Sequence, residues 1–240
     1  MTDSIRLAKR LASMLPCSRS EAEKFITSGF VTVDGEIVEE PGFRVADTQN
    51  IVLMPDAKLS DTEAVTILLH KPAGINIQTD IDSVLKLLTP DKHSVEDRSG
   101  IRFIKRHFKD LVLLDPLGIH ASGLQVLTQD WHISRKLSKD AARVEQEYIV
   151  EVTGELIPDG IKMLNQGIPL QGKLYPVKVS WQNESRLRFA FKGVQRRHME
   201  ELCNSVGLSV TSMKRIRIGR VPMAALQPGQ WRYLSEYEKF

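Results

Sequence analysis

Within residues 147–152 and again within 177–191 apolar side chains recur at every second position, and that period limits the fold more than any other feature of the chain. Tyr148, Val150 and Val152 alternate with Glu147, Ile149 and Glu151, while Val177, Val179 and Trp181 answer Leu187, Phe189 and Phe191 across Asn183. A period of two marks a strand with one buried face, and two such runs joined by a short polar turn pair as a hairpin. Compact apolar runs at 65–69, 111–114 and 124–128 read as further strands, as does 210–218, and 227–234 closes the chain. A helix at 197–206 ends at Gly207. Helices and strands do not alternate here, which argues against a doubly wound parallel sheet. The expected class is α+β, with a mostly antiparallel mixed sheet.

The first fifty residues follow a different rule. Leu7, Leu11 and Leu15 are four apart, with Ala8 and Ala12 alongside, which predicts a short amphipathic helix carrying Lys9 and Arg10 on its wet side. Ser18 precedes Glu21 by three residues, the spacing of a capping box. A second helix follows, burying Ala22, Phe25 and Ile26 until Gly29 supplies a left-handed cap. Val31 and Val33 then alternate as a strand, Asp34-Gly35 signals a tight hairpin, and Ile37-Val38 returns. Residues 55–64 are polar without periodicity and read as a linker. The expected organisation is a small domain over 1–54, the linker, and a larger domain over 65–240.

Composition narrows the function classes. The 240 residues are 42% hydrophobic and 26% charged, ordinary for a folded protein in water. Cys17 and Cys203 form neither a metal-ligand spacing nor a disulfide framework, so free thiols, no metal and a cytoplasmic location are expected. The start lacks an apolar leader, and no run reaches membrane-spanning length. Net charge is only +3, but its distribution is uneven. RFIKRHFK at 102–109 holds four cations and no acid, and 192–220 holds seven cations against Glu200 and Glu201. Concentrated positive charge suits a polyanion, although such runs are also common on solvated faces.

The two helices and hairpin written CSRSEAEKFITSGFVTVDGEIVEEPGFRV resemble the S4 RNA-binding domain over roughly residues 5–54. Behind it, Lys71-Pro72-Ala73-Gly74, ASGLQVLTQD, EQEYIVEV and MKRIRIGRVPMAALQPGQWRYL resemble, in order, the motifs of the RNA pseudouridine synthases that carry an N-terminal S4 domain. That resemblance implies a structured RNA partner, ribosomal in kind, with no DNA, no membrane and no cofactor. On the S4 domain it makes Lys9, Arg10, Ser18, Arg19, Ser20 and Lys24 candidate RNA contacts, and on the larger domain Lys71 and Arg197. Cations gain affinity through counterion release and hydroxyls position the strand.

The implied chemistry detaches uracil from C1′ of the ribose and rejoins it through C5, which requires a flipped nucleotide and an aspartate that acts on the sugar. Without gaps, the family's catalytic aspartate aligns with Gly118, which has no side chain to offer. The nearest carboxylate is Asp115, which reaches the position only if three residues are inserted before Ser122. Tyr148 holds the place of the ring that stacks on the base, Gln146 stands for a lysine, and Glu200 and Glu201 replace cations of the 197–202 helix. An RNA-binding protein of this family with its catalyst missing is therefore the first expectation. An active synthase using Asp115 is the alternative. A protein-interaction module with merely solvated basic strips fits the S4 resemblance least.

Overall fold

The computed structural model describes residues 4–59, 64–77, 81–170, 173–193 and 197–240. The chain divides into two compact units, one made of Met1–Ala64 with Ile101–Lys109 and the other of Val65–Gly100 with Asp110–Phe240.

In the first unit a two-residue strand, β1 (Ile5–Arg6), leads into α1 (Leu7–Met14) and α2 (Arg19–Thr27). The capping box forms: Ser18 Oγ accepts from the Glu21 amide at 3.2 Å, and the Glu21 carboxylate accepts from the Ser18 amide at 2.7 Å. Two amide donors that a helix start leaves open are thereby satisfied. Strands β2 (Val31–Val33) and β3 (Glu36–Ile37) join through Asp34 and Gly35, both at positive φ (52° and 89°), as a tight hairpin requires. Then come β4 (Arg44–Val45), paired with β1, and β5 (Ile51–Leu53), paired with β2. Leu7, Ala8 and Leu11 meet Ala22, Phe25, Ile26 and the inner faces of Val31, Val33 and Val45 in one buried cluster. Each fully buried large side chain there contributes roughly 1.5–3 kcal/mol.

The basic run at 101–109 packs with this unit, although it lies inside the 65–240 span. Ile104 is buried, and Arg102 pairs with Asp56 at 2.7 Å while its guanidinium lies 5.0 Å from the Phe30 ring centre. The Lys105 amide donates to Glu39 at 2.6 Å. Charge counting on RFIKRHFK missed this because one isoleucine and one paired arginine decide where the segment lies. Of the expected linker at 55–64, residues 60–63 lie outside the described residues, and Ala57 packs against the small core.

The second unit holds β6 (Thr66–Lys71), α3 (Ile81–Leu85), β7 (Val112–Leu114), β8 (Ala121–Thr128), α4 (Trp131–Ser138) and β9 (Glu145–Gly154). They are followed by α5 (Gly160–Leu164), β10 (Ile168–Leu170), β11 (Lys173–Tyr175), β12 (Val177–Asn183), β13 (Arg186–Lys192) and α6 (Arg197–Ser205), and then by β14 (Leu208–Ile218), β15 (Val221–Pro222) and β16 (Trp231–Tyr233). The main sheet runs β12-β13-β9-β14-β8-β6-β16, with β7 on β8 and β15 on β14. Its pairs are antiparallel except β14 with β8, so the sheet is mixed and mostly antiparallel. Helix α4 was not anticipated. Asp130 caps it by accepting from the amides of His132 and Ile133, and it packs Leu137 against Leu124 and Val126.

Two local features set up the site. Gly123, at φ 107°, brings β8 so close to β14 that a Cβ would fall 2.6 Å from the Arg215 amide nitrogen. Between Arg215 and Arg217 the β14–β9 register slips: Arg215 stands opposite Tyr148, and Arg217 opposite Glu147. In a regular strand residues two apart share a face. This bulge sends the two arginines to opposite faces of the sheet.

Candidate active site

A cluster of polar side chains gathers where β7 ends and β9 and β14 run side by side. Arg215 has no exposed surface. Its Nη1 donates to Asp115 Oδ2 at 2.7 Å, its Nη2 to the Asp115 carbonyl at 3.0 Å, and its Nε to the Leu124 carbonyl at 2.7 Å. A buried guanidinium is tolerable only when its donors are used this fully. Gln146 Nε2 donates to the same carboxylate oxygen at 2.8 Å, and the Tyr148 hydroxyl donates to Gln146 Oε1 at 3.0 Å. Asp115 is thus oriented by two side chains while its own side chain stays 51% exposed. It adopts φ 42°, the left-handed region that aspartate enters more readily than most residues. A carboxylate fixed in direction, open on one side and set on a strained backbone is a suitable nucleophile geometry.

The loop after Asp115 explains how extra residues fit. Gln125 is wholly buried and reads both ends of the turn, donating to the Leu114 carbonyl at 2.6 Å and accepting from the Leu117 amide at 3.0 Å. Lys71, also wholly buried, donates to the carbonyls of Pro72 and Ala121, each at 2.9 Å, and the Gly74 amide donates to Ile119 at 2.7 Å. Gly118, the ungapped position, lines a groove with His120, Ser212 and Glu200, and Asp115 is not part of that lining. The carboxylate beside Tyr148 and Arg215 is Asp115.

Known proteins match both units. Residues 5–51 match the S4 domain family. An uncharacterized RNA pseudouridine synthase of Aquifex aeolicus is 26% identical over 98% of this chain and 94% of its own length. The dual-specificity RNA pseudouridine synthase RluF of Salmonella typhi is 28% identical over 99% of this chain and 78% of its own, and ribosomal large subunit pseudouridine synthase B of Bacillus subtilis is 26% identical over 97% and 93%. A crystal structure of a pseudouridylate synthase shares the fold, with TM-score 0.58, 21% identity and 97% of each chain covered. Along nearly its whole length the chain is similar to RNA pseudouridine synthases, with an S4 domain at residues 5–51.

The remaining expected site residues lie apart from the Asp115 cluster. Lys9, Ser18, Arg19, Ser20 and Lys24 are exposed, and Arg10 is half-buried. Arg10 pairs with Asp47 at 3.0 Å and Arg19 with Glu23 at 3.1 Å, exposed ion pairs weak enough to exchange for a phosphate. Ser18 spends its hydroxyl on the helix cap. Lys71 cannot present its charge outward. Its geometry fastens the 117–121 loop instead of offering a surface cation. Arg197 opens α6, and its side chain lies outside the described residues. Tyr148 is 3% exposed, and its ring lies parallel to Phe191 with centres 5.5 Å apart, so it forms a wall of the cluster and links its hydrogen bonds.

Sequence reasoning missed Arg215 and Gln125. Arg215 was counted only within a basic run, although it shares the parity of Met213, a buried residue. A cation at a core-facing parity of a strand is the signal that could have found it. On the opposite face, Glu147 has its carboxyl held below the usual range by hydrogen bonds from Arg217 and Arg188.

Proposed function

We propose that this protein binds structured RNA and isomerises uridine to pseudouridine with Asp115 as the carboxylate that acts on the sugar. One observation carries the reading: Asp115, half exposed, is oriented at 2.7 Å by a wholly buried Arg215 beside Tyr148. Asp115 attacks C1′ of a flipped uridine, or opens the glycal route, and the C1′–N1 bond breaks with its electrons going to uracil. The base turns and its C5 bonds to C1′. The displaced carboxylate is regenerated as C5 bonds to C1′, and the C5 proton then leaves to solvent while N1 takes one up. Gln146 and Arg215 keep the carboxylate directed, and Tyr148 with Phe191 closes the wall behind the base. The chain's own groups suffice, and no metal or organic cofactor enters.

Ribosomal RNA is the proposed substrate class, because relatives named for ribosomal subunits align along nearly the whole chain. The cytoplasm is the proposed location. No helix among the described residues is long and apolar enough to cross a membrane. Lys9, Arg10, Arg19, Ser20 and Lys24 are the proposed contacts of the S4 unit.

The test is tritium release from RNA labelled at uracil C5, using unmodified ribosomal RNA with native protein and Asp115→Ala. Release by the native protein alone supports the reading. Release by both assigns the chemistry to another group. Absence of release, with salt-sensitive RNA binding intact, returns the chain to the binder without a catalyst that Gly118 suggested.

A further inference from the structure

On the sheet face opposite Asp115 lies a cleft of about 600 Å³ that the isomerisation does not use. Alternation along β9 turns Gln146 and Tyr148 to the Asp115 side and Glu145 and Glu147 to the other. The bulge in β14 places Arg217 with the glutamates, at 2.5 Å from Glu145 and 2.7 Å from Glu147. Arg217 is therefore neutralised in place. Around it the lining collects Arg135 and Lys136 from the last turn of α4, with Arg143, Lys192 and Arg220, against Asp140, Glu145 and Phe240, whose terminal oxygen accepts from Lys136. Among the described residues no carboxylate pairs with Arg143, Lys192 or Arg220, all of which are exposed. Like charges held together in a concavity repel one another and attract an anion.

A second observation specifies the anion. Trp131, the first residue of α4, is 62% exposed. It stands beside the cleft through two lining residues: the Arg135 guanidinium is 5.4 Å from its ring centre, and the His132 ring 5.1 Å away. An inorganic phosphate gains nothing from an indole. A nucleic-acid strand does, because cations track its backbone while an aromatic face receives a base, whatever the base is. The volume suits a nucleotide or two.

We propose that this cleft binds a single-stranded stretch of RNA, with phosphates on Arg143, Lys192 and Arg220 and a base stacked on Trp131. The choice of RNA over other polyanions rests on the RNA-modifying function proposed above. The site lies behind the sheet from Asp115, so it holds a segment other than the one carrying the target uridine.

The test uses the full chain and a fluorescein-labelled 12-nucleotide oligouridylate titrated across salt concentrations. Arg143→Gln with Arg220→Gln removes two phosphate partners. It should lower the slope of log affinity against log salt by about 1.4, at roughly 0.7 per phosphate of a single strand. Trp131→Ala should weaken binding about five- to 150-fold with the slope unchanged. All three residues are exposed, and unchanged melting temperatures confirm that folding is intact. Native affinity and slope in both variants overturn the proposal, as does a native chain that fails to bind the oligonucleotide. A slope change in the arginine variant with no effect of Trp131→Ala assigns the cleft to a small anion and overturns the RNA assignment. Tritium release is read separately: if it survives while these binding effects are absent, the isomerase reading stands and only the cleft is lost.

Discussion

Arg215→Met tests whether the buried guanidinium is what keeps Asp115 at its post. Methionine fills similar volume and carries no donor, so the change removes three hydrogen bonds at once. The two to backbone carbonyls come from a charged donor and are worth about 1.5–3 kcal/mol each. The ion pair itself adds about 1 kcal/mol or less, because the Asp115 side chain is half exposed. Against these losses stands the desolvation of a guanidinium with no exposed surface, several kcal/mol that methionine does not suffer. The net expectation is a loss of about 2–4 kcal/mol. In a domain of this size that lowers the melting temperature by about 5–15 °C. Calorimetry or circular dichroism reads the melt. Tritium release at a temperature where the variant is folded reads the chemistry, which should fall at least 10²-fold, the scale of a misplaced catalytic group. Arg215→Lys should recover little of either effect, since one ammonium cannot reach two carbonyls and a carboxylate in a fork. A folded Arg215→Met that melts like the native protein and releases tritium at the native rate refutes the reasoning.

The remaining expectations concern the frame around that cluster. Gly123→Ala forces a side chain at φ 107° against the Arg215 backbone and should cost about 2–4 kcal/mol, with amide exchange speeding first along β8 and β14. Tyr148→Ala should lose about 3–5 kcal/mol as a buried ring disappears beside Phe191, whereas Tyr148→Phe should lose about 1 kcal/mol; a fully stable alanine variant would place the ring outside the core. Glu147 has its folded pKa depressed by Arg217 and Arg188, so its contribution is present above about 4.3, the unfolded value, and is lost as pH falls through the folded one. In urea titrations the stability gap between native protein and Glu147→Gln should therefore be full at pH 7 and close on acidification below about pH 4; a gap independent of pH contradicts this. Ser18→Ala should cost the N-terminal unit about 1 kcal/mol through loss of the capping box, read by urea unfolding of the full chain.

Local rules were legible without a structure. The capping box at Ser18, the positive-φ pair Asp34-Gly35 and the alternating strands at 145–154 and 177–192 depend on neighbours within a few residues, and all formed where spacing placed them. The S4 unit and the α+β class follow from that same local text. Helix α4 escaped notice because its cap, Asp130, and its single buried Leu137 leave little periodic signal. The run at 101–109 reads as charge alone in the sequence because Arg102 is 46 residues along the chain from Asp56, and Ile104 is farther still from Gly29.

The site itself belonged to the tertiary structure. In the ungapped text Gly118 takes the catalytic place, since counting along a chain cannot see that a loop is folded back and pinned by Gln125 and Lys71. Only the meeting of β7, β9 and β14, residues 30 to 100 positions apart, brings Asp115 to Gln146 and Arg215. The bulge at Ile216 likewise separates two arginines that a strict period of two would put on one face, one to orient a carboxylate and the other to the cleft behind it. Sequence determined which segments become strands and helices, because backbone and burial preferences act locally. Which side chain reaches the reacting atom was decided by register and loop closure, which depend on contacts the chain makes only once it is folded.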